Sequence, residues 1–426
     1  MKPPNYTRRH SRIHEVVFLN YFFQLLVSVL LFVFIAVVPD WGIFFYENYD
    51  IGTGRTLFGV IVSFAISLFA IKKFLRYPGA QSVSYILPTV SVVFIILVLI
   101  YFIMRLEYSN KIIILGFLFI SGWSLAGYFY GNRYRMNRYA VVPVGDVFDF
   151  TKLKTNNIFE ILGKPDLGTD RYNAVIADLR SNEMTPEWEK FLAHCTLSRI
   201  PVYHTKQIKE SLTGRVKIDH LSENEFGALL PSGMYESFKR FIDLIAAFIL
   251  LPFVVPFFFI IGAIIKLDSN GPVFFIQKRM GFRGRPFNML KFRSMKIDLD
   301  GEKFTKNKKD PRITRIGKII RKYRIDELPQ IINIIAGQMS FIGPRPESLE
   351  LSEWYEKDVP FFSYRHVVRP GISGWAQVEQ GYAAEVDGMN IKLEYDFYYI
   401  KHFSFWLDTL ITFKTIKTIF TGFGAR

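Results

Sequence analysis

The first third of the chain consists mostly of long apolar runs separated by short polar stretches. Four such runs are present, at roughly residues 16–38, 56–71, 85–104 and 112–130. A helix needs about 20 mostly apolar residues, with a range near 17–25, to cross a bilayer. The second run is the shortest, and it reaches this length when it is extended back to Gly52 with the Arg55 side chain at the interface. The pattern therefore predicts a bundle of four transmembrane helices within residues 1–136.

Charged residues between the runs indicate how these helices are oriented. Cations precede the first run and follow the second and the fourth, whereas the loop after the first run is acidic and the loop after the third is mixed. The cations are Arg8, Arg9, Arg12, Lys72, Lys73, Arg76, Arg133, Arg135 and Arg138, and the acids are Asp40, Glu47 and Asp50. Because cationic loops stay in the cytoplasm, the N-terminus and everything after residue 131 are predicted to be cytoplasmic. Helices buried in a soluble core, which are the alternative, would not explain this alternation.

The segment 137–230 is more polar and alternates between two kinds of short element. Strand-like stretches occur at 139–143, 174–179 and 200–203, and helix-like stretches occur at 159–162 and 185–196. This alternation predicts a small parallel α/β module. The segment has Gly145 after its first strand but no G-x-G-x-x-G fingerprint. A structural or regulatory module is therefore favoured over a ligand site.

A fifth apolar run, residues 241–265, opens the last region, residues 231–426. It is long enough to span a membrane, but Pro252 and Pro256 each remove a helical hydrogen bond in its middle. A kinked helix that enters the membrane and returns over about 238–265 would keep both of its ends in the cytoplasm. An ordinary Pro-kinked span, the alternative, would place the following residues outside the cell. We therefore expect a re-entrant helix.

A basic β-hairpin is predicted next, over residues 271–295. Its Gly-rich turn lies between two short apolar stretches, and alternation in the second strand places Lys291 and Arg293 on one face and Phe292 on the other. These cations either contact phosphate or form a solvated basic face.

Two stretches have the amphipathic pattern of helices at a membrane surface. Residues 303–324 contain ten basic residues around an apolar stripe, and residues 403–420 combine apolar positions with Trp406 and two lysines. For the second stretch, packing on its own domain is an equal alternative.

An adjacent acid pair, Asp326-Glu327, follows the basic stretch. Pro329 and the apolar run 331–335 predict a helix that begins directly after the pair. A helix N-terminus favours ionised carboxylates, and two carboxylates among cations suit a divalent metal and a phosphate substrate. An acidic helix cap with solvated neighbours is the alternative. The Gly-rich turn 369–375 is expected to bring backbone N–H groups close to a ligand.

The composition narrows the choice of partner. The chain has 426 residues, a formal net charge of +15 and 50% apolar residues, which indicates an anionic membrane face before nucleic acid. No aromatic interleaving or groove-reading motif accompanies the basic residues, so no nucleic-acid partner is expected. The single Cys195 excludes an intramolecular disulfide. The N-terminus lacks a cleavable signal pattern.

Several motifs that follow one another from Tyr235 onward carry a resemblance to a known family. They are Lys239-Arg240-x-x-Asp243, the Pro-containing helix, Gly271-Pro272-Val273-Phe274-Phe275, Lys291-Phe292-Arg293-Ser294-Met295, Asp326-Glu327-Leu328-Pro329-Gln330, Gly343-Pro344-Arg345-Pro346 and Arg369-Pro370-Gly371-Ile372-Ser373-Gly374-Trp375-Ala376-Gln377. In this order they resemble the bacterial sugar transferases, which move a hexose-1-phosphate onto a polyprenyl phosphate. The four N-terminal helices and the middle module resemble the layout of the long, polytopic members, such as the undecaprenyl-phosphate glucose phosphotransferases.

The resemblance implies a three-part membrane protein. A membrane α-helical N-terminal bundle (1–136) would be followed by a small α/β module of degenerate Rossmann type (137–230) and by an α+β catalytic domain (231–426). The Pro-kinked re-entrant membrane helix and the interfacial amphipathic helices would anchor the catalytic domain. It would lie on the cytoplasmic face of the bacterial inner membrane.

The resemblance also implies a reaction and its residues. Asp326 would attack the sugar-bearing phosphorus of a UDP-sugar, release UMP and hold the phosphosugar until polyprenyl phosphate takes it. Glu327 would bind Mg²⁺ or handle the proton, and both acids are the expected Mg²⁺ ligands. The expected substrate-binding residues are Lys291, Arg293, Arg345, Pro346 and Gln377, and the expected membrane-insertion residues are Lys239, Arg240, Asp243, Pro252 and Pro256. The product would start an exopolysaccharide, capsule or O-antigen and pass to downstream glycosyltransferases. A second copy of the chain is a further candidate partner.

Two departures and two rival functions accompany the resemblance. Val255 stands where the family has a Ser before the kink proline, and Pro252 is extra, so the position of the break is not identified. Glu379-Gln380 stands where many relatives have Asn-Gly, so the sugar is not identified. A lipid-carrier transporter would need ionisable residues inside the four spans, which contain almost none. A non-catalytic scaffold for polysaccharide assembly would have no need for the acid pair.

Overall fold

The structure is a computed structural model that describes residues 6–10, 12–18, 20–36, 38–41, 50–78, 83–145, 156–218, 230–296, 312–380 and 386–421. The chain forms two compact units, Met1–Gly214 and Arg215–Arg426. The three-domain division, with boundaries near residues 136 and 230, stays a prediction.

Apolar helices make up the first part of the N-terminal unit. Their bounds are α1 Ile13–Phe18, α2 Tyr21–Ala36, α3 Val38–Trp41, α4 Ile51–Phe74, α5 Ile86–Ile103 and α6 Asn110–Arg135. The start of α4 confirms that the second apolar run extends back beyond Gly52. The first run is divided between α1 and α2, because the Asn20 side chain accepts from the backbone N–H of Phe22 and so begins a new helix.

Length and composition identify the helices that can cross a membrane. In the described residues these are Ile51–Phe74, Val83–Ile103, Asn110–Asn132 and Gly233–Asp268, whereas α2 is shorter, with 16 residues. Three of the four predicted N-terminal spans are therefore confirmed as helices of sufficient length, and α2 is not.

Aromatic and aliphatic side chains pack between these helices. Phe32 of α2, Phe64 of α4 and Ile112 of α6 are buried in one cluster. Gly59 of α4 leaves room for Tyr101 of α5. Many of the outward-facing side chains are large, apolar and exposed, as expected of helices surrounded by lipid.

The rest of the N-terminal unit is the small α/β module. Its described strands form a parallel sheet in the order β2-β1-β3-β4. The bounds are β1 Arg138–Val141, β2 Ile158–Ile161, β3 Ala174–Ala177, α7 Pro186–Leu197, β4 Val202–His204 and α8 Thr205–Thr213. The parallel α/β organisation is thus confirmed, but the expectation of a helix at 159–162 is wrong. Four residues are too few to nucleate a helix, whereas pairing with β1 satisfies their backbone groups.

The loops at the carboxyl ends of β1, β3 and β4 pack on one another. Gly145, with a φ of +73°, lies against Asp178 and Ser181. Its amide donates to Glu183, and His204 lies 3.3 Å from Asp178. Ligands of open parallel sheets bind at such an edge. Two carboxylates at this position do not suit a phosphate ligand.

The segment before α1 lies on the α/β module. The Tyr6 hydroxyl donates to Asp166 at 3.0 Å, and the Tyr6 ring packs edge-on against Phe191. The backbone N–H of Arg9 donates to the carbonyl of Tyr172 at 3.0 Å. The chain segments on both sides of the helical bundle therefore meet.

The C-terminal unit combines one long helix with two small sheets and shorter helices. Its bounds are α9 Gly233–Asp268, β5 Phe274–Met280, β6 Pro286–Phe292, α10 Arg315–Lys322, α11 Gln330–Ile335, β7 Ser340–Ile342, α12 Leu349–Asp358, β8 Gly371–Ser373, α13 Trp375–Glu379, α14 Val386–Lys401 and α15 Phe405–Thr421. β5 and β6 form the predicted antiparallel hairpin, and β7 pairs with β8 in parallel.

Helix α9 continues through both of its interior prolines. Pro252 and Pro256 lie within one helix of 36 residues, although each proline removes a hydrogen bond to the preceding turn. A break in the helix at these prolines is therefore not seen. The re-entrant path depends on the surrounding membrane and stays a prediction.

The amphipathic helices use part of their apolar stripes inside the unit. Ile320 of α10 is buried with Ile265 and Phe292, whereas Ile319 on the same helix is exposed. The basic residues at 303–309 lie outside the described residues.

Helix α15 buries Leu407, Leu410 and Ile411 completely. This supports the alternative in which the tail packs on its own domain. Contact of its exposed residues with a membrane stays a prediction.

Candidate active site

The acid pair lies in a tight turn between α10 and α11. Arg324 ends the preceding segment in the left-handed region, with a φ of +55°, a conformation that costs a non-glycine residue about 1–2 kcal/mol. Ile325–Glu327 then form one 3₁₀ turn, and Pro329 immediately precedes α11. The predicted helix directly after the pair is confirmed. Proline suits this position because no helical hydrogen-bond donor is required there.

Glu327 is buried and bound by arginine. Its Oε1 accepts from Nη2 of Arg345 at 2.9 Å, and Nη1 of Arg324 lies 4.0 Å from its Oε2. Burial by itself raises the pKa of Glu327, but the charges of Arg345, Lys291 and Arg324 outweigh burial and hold this pKa below its usual value. Glu327 is therefore an ionised carboxylate in a fixed position.

Asp326 has a different environment, although it is the adjacent residue. Burial and then the negative charge of Glu327 raise the pKa of Asp326 to about 6, while Lys291 and Arg345 oppose this rise. In the described part of the chain, no side chain lies within hydrogen-bond or ion-pair distance of its carboxylate. The residue is partly exposed, so Asp326 is accessible for reaction whereas Glu327 is not.

Lys291 of β6 is the third charged group at this position. Burial, followed by repulsion from Arg345, lowers the pKa of its ammonium to about 8, and attraction to Glu327 and Asp326 opposes this. The structure therefore places Lys291 and Arg345, from two separate motifs, beside the acid pair. Both cations are suited to anionic oxygens.

A buried ionic network lies behind Arg345. Nη2 of Arg365 donates to the carbonyl of Arg345 at 2.8 Å, and Nη1 of Arg279 donates to the carbonyl of Pro346 at 3.0 Å. Arg365 forms an ion pair with Asp396 at 2.8 Å, and both side chains are almost fully buried. The network therefore fixes the backbone from which the Arg345 side chain extends.

Glu347 and Lys392 complete this network. Lys392 donates to Glu347, and Arg365 lies 3.5 Å from the same carboxylate. Burial alone raises the pKa of Glu347, but these two cations bring it down to about 2. The sequence analysis missed this network, because its members lie on four separate segments that only the fold brings together.

Two of the expected substrate-binding residues have other partners in this structure. The guanidinium of Arg293 donates to the carbonyls of Ser269 and Asn270 and so binds the loop that ends α9. The side-chain amide of Gln377 donates to the carbonyl of Ile372 at 3.3 Å. Their proposed contact with substrate stays a prediction.

The two glycine-containing turns pack directly against each other. The amide of Gly343 donates to the carbonyl of Ser373 at 2.8 Å, and the amide of Gly371 donates to the carbonyl of Pro344 at 3.0 Å. A Cβ on either glycine would meet the backbone of the opposite turn. The amides of Gly343 and Gly371 are thus engaged within the protein, whereas an approach of other backbone N–H groups of the turn 369–375 to a ligand stays a prediction. The glycines are required for close backbone packing beside Arg345.

The acid pair fits one Mg²⁺ only when other ligands complete the coordination. Oε2 of Glu327 is buried and, within the described ranges, accepts no hydrogen bond, which leaves it available to a metal. No group of three or more His, Cys, Asp or Glu side chains with metal-binding geometry occurs in the residues that the structure describes. The remaining ligands would be phosphate oxygens and water, as is usual for Mg²⁺.

Comparison with known proteins identifies the family of this site. The family described as bacterial sugar transferase matches residues 234–422. The whole chain is 48% identical over 426 residues to the UDP-N-acetylgalactosamine-undecaprenyl-phosphate N-acetylgalactosaminephosphotransferase of Aeromonas hydrophila, with 99% of this chain and 100% of the relative covered. The chain belongs to the bacterial sugar transferase family. The resemblance carried by the ordered motifs is thereby confirmed.

Other relatives match less than half of this sugar transferase. It is 39% identical over 196 residues to the UDP-glucose:undecaprenyl-phosphate glucose-1-phosphate transferase of Escherichia coli K12, covering 45% of this chain and 41% of the relative. It is 38% identical over 191 residues to the exopolysaccharide production protein of Rhizobium leguminosarum bv. phaseoli, covering 43% of this chain but 95% of the relative. The matched length is close to that of the family region 234–422 and makes up nearly all of the Rhizobium protein.

Proposed function

We propose that this sugar transferase moves a sugar-1-phosphate from a UDP-sugar to undecaprenyl phosphate and releases UMP. The relatives from A. hydrophila and E. coli are named for transfers of this kind. The observation that carries the proposal is that the two adjacent acids have different surroundings. Glu327 is bound by Arg345, whereas Asp326 is partly exposed beside Lys291 and Arg345.

Asp326 is the nucleophile in this proposal. One of its carboxylate oxygens attacks the sugar-bearing phosphorus, and UMP leaves with the bridging oxygen and its electron pair. The phosphosugar stays on Asp326 as an acyl phosphate. An oxygen of undecaprenyl phosphate then attacks the same phosphorus, the bond to Asp326 breaks, and undecaprenyl-diphosphate sugar is released.

The cations beside the pair stabilise the charge that develops on the phosphoryl oxygens. Lys291 and Arg345 already lie beside the carboxylates in the folded protein, so they need no rearrangement during the reaction. The network of Arg365 and Arg279 behind Arg345 maintains this arrangement.

Asp326 and Glu327 are the residues that would hold Mg²⁺ beside the diphosphate. When bound there, the ion would neutralise negative charge on the donor phosphates. The buried Oε2 of Glu327 supports this assignment.

N-acetylgalactosamine is the first sugar to test. The relative that matches 99% of the chain is named for this sugar, whereas the E. coli relative named for glucose matches only 45% of it. We place the reaction at the cytoplasmic face of the inner membrane, as the first membrane step of a surface polysaccharide. The name of the Rhizobium relative supports this role.

The reaction is tested with purified protein in detergent and a panel of UDP-sugars. UMP release is measured with Mg²⁺ and undecaprenyl phosphate, and again with EDTA. We expect release with one sugar, a strong reduction by EDTA, and a loss of about 10⁴-fold or more in Asp326→Asn, since that variant lacks the nucleophile. Asp358→Asn, at an exposed acid at the end of α12, is the matched control and is expected to behave as wild type.

The covalent intermediate has a separate test. Wild-type protein incubated with a donor labelled in the sugar, without undecaprenyl phosphate, should retain label after denaturation, and Asp326→Asn should not. No UMP release from folded protein with any UDP-sugar would favour the scaffold function. Release that persists in Asp326→Asn would exclude Asp326 as the nucleophile.

A further inference from the structure

The first three turns of α9 contact both chain segments that lead to the active site. The resemblance assigns Lys239, Arg240 and Asp243 of these turns to membrane insertion. In the structure, Lys239 and Asp243 are buried. The side chains of Arg240 and Asp243 bind other elements of the same unit.

Arg240 binds the helix that follows the acid pair. Its Nη1 donates to the carbonyl of Ile334 at 2.6 Å, and its Nη2 donates to the carbonyl of Ile335 at 3.0 Å. These carbonyls end α11, where a cation also interacts favourably with the helix dipole. Because α11 begins three residues after Glu327, the guanidinium holds the far end of a short rigid segment whose near end carries the acid pair.

Asp243 binds the strand that precedes Arg345. Its Oδ2 accepts from the Ser340 hydroxyl at 2.7 Å, and its Oδ1 accepts from the backbone N–H of Phe341 at 3.4 Å. Both donors belong to β7, which ends three residues before Arg345. Lys239 lies 3.9 Å from Asp243 and partly compensates its buried charge.

The contacts of Arg240 and Asp243 connect α9 to both partners of the Arg345–Glu327 hydrogen bond. Arg240 and Asp243 are three residues apart and therefore share one face of α9. On this face, Arg240 binds α11, which follows Glu327 along the chain. Asp243 binds β7, which precedes Arg345 along the chain. The two segments held in this way are joined to each other by the hydrogen bond of 2.9 Å between Arg345 and Glu327.

We propose that Arg240 and Asp243 are positioning residues, which set the placement of Arg345 relative to the acid pair and so couple the membrane helix to the active site. The effect of these two residues on the reaction rests on the proposed function. Their contacts with α11 and β7 are independent of what the protein catalyses.

The test compares Arg240→Met, Arg240→Lys and Asp243→Asn with Lys266→Met. Lys266 is an exposed cation in the last turn of the same helix, so it controls for the loss of a charge from α9. Turnover in Arg240→Met should fall by up to about 10²-fold, because a displacement near 1 Å has an effect of this size. Arg240→Lys, which keeps the charge but loses the planar fork that reaches both carbonyls, should recover part of that loss, and Lys266→Met should behave as wild type.

A second measurement does not depend on turnover. Hydrogen exchange is followed by mass spectrometry in peptides covering 328–336 and 340–346, with residues 389–400 of α14 as the internal reference. Arg240→Met should exchange faster in the first peptide and Asp243→Asn in the second, while the reference peptide stays protected. The amount of protein that resists carbonate extraction from membranes should stay the same.

The outcomes separate the proposals. If wild type releases no UMP from any UDP-sugar, the proposed function fails, and the exchange data alone decide the positioning role. If exchange in 328–336 and 340–346 is unchanged in the variants, the positioning role is overturned. Loss of membrane insertion, with normal turnover per inserted molecule, also overturns it and favours the insertion role.

Discussion

Two adjacent carboxylates acquire different properties from the side chains around them. Glu327 is held by the Arg345 guanidinium, which keeps its pKa low, whereas Asp326 has a pKa raised to about 6 by burial and by its neighbour. Nothing in the dipeptide itself distinguishes the two acids in this way. The difference arises because Arg345 reaches Glu327 from a turn 18 residues away along the chain.

The buried ion pair behind Arg345 gives a prediction about stability. Asp396→Asn leaves the buried Arg365 without its 2.8 Å partner, and breaking such a pair typically costs about 3–5 kcal/mol. We expect a loss near the lower end of this range, since Glu347 remains 3.5 Å from Arg365. Thermal unfolding of the purified protein measures the loss.

A second expected effect and a control variant accompany this stability prediction. Turnover in Asp396→Asn should fall as well, because Arg365 also donates to the carbonyl of Arg345. The exposed-acid variant Asp358→Asn should unfold at the wild-type temperature. An unchanged unfolding temperature in Asp396→Asn would show that the ion pair contributes no net stability.

At the scale of elements, the contacts of the N-terminal segment allow a prediction of how many helices cross the membrane. Tyr6 and Arg9 precede the helical bundle, and both bind the α/β module that follows it. Segments in contact lie on one side of the membrane, so the number of crossings between them is even. If α4, α5 and α6 each cross, as their length and composition allow, we predict that α2 supplies the fourth crossing.

The described residues of helix α2 do not by themselves reach the length of a full span. Its 16 residues extend about 24 Å at 1.5 Å per residue, whereas the hydrocarbon core is about 30 Å thick. Phe22, Leu26, Leu30 and Phe34 on its outer face are nevertheless exposed and apolar. Helix α3, Val38–Trp41, follows after a single residue outside the described ranges, so the bounds of α2 alone do not measure the length of the crossing.

Cysteine labelling in intact cells tests this topology. Cys195 is buried, so single cysteines can be introduced at the exposed positions Thr7, Glu107 and Lys164. A membrane-impermeant reagent should label Glu107→Cys but neither Thr7→Cys nor Lys164→Cys. Labelling of Thr7→Cys together with Glu107→Cys in intact cells, while Lys164→Cys stays protected, would contradict a crossing by α2.

At the scale of the whole molecule, the acid pair, its cations and the positioning residues all lie in the unit Arg215–Arg426. The Rhizobium relative consists almost entirely of the matching region. We therefore predict that residues 215–426, expressed alone, insert into membranes and release UMP with the same donor preference as the full chain. A fragment that inserts and folds but releases no UMP would show that the N-terminal unit contributes to the site.

Much of this organisation follows from local patterns in the sequence. The long apolar runs give helices α4 to α6 and α9, because burial of apolar side chains in lipid requires continuous stretches of about 20 residues. The period-two alternation and the Gly-rich turn give the β5–β6 hairpin. The acid pair before a proline gives the turn that opens α11. Each of these features depends on neighbours within a few positions.

Other features depend on residues far apart along the chain. The four-residue strand β2 forms only because β1 is beside it. Arg293 is close in sequence to Lys291, yet it binds the end of α9 and not the acid pair.

The sequence by itself determined the membrane helices, the hairpin, the order of the family motifs and the candidate acid pair. Only the tertiary structure decided which carboxylate is bound and which is accessible, and that Arg240 and Asp243 hold the two segments of the site. The physical reason is that charge interactions and buried hydrogen bonds depend on distance in space. Local periodicity contains no information about such distances between separate segments.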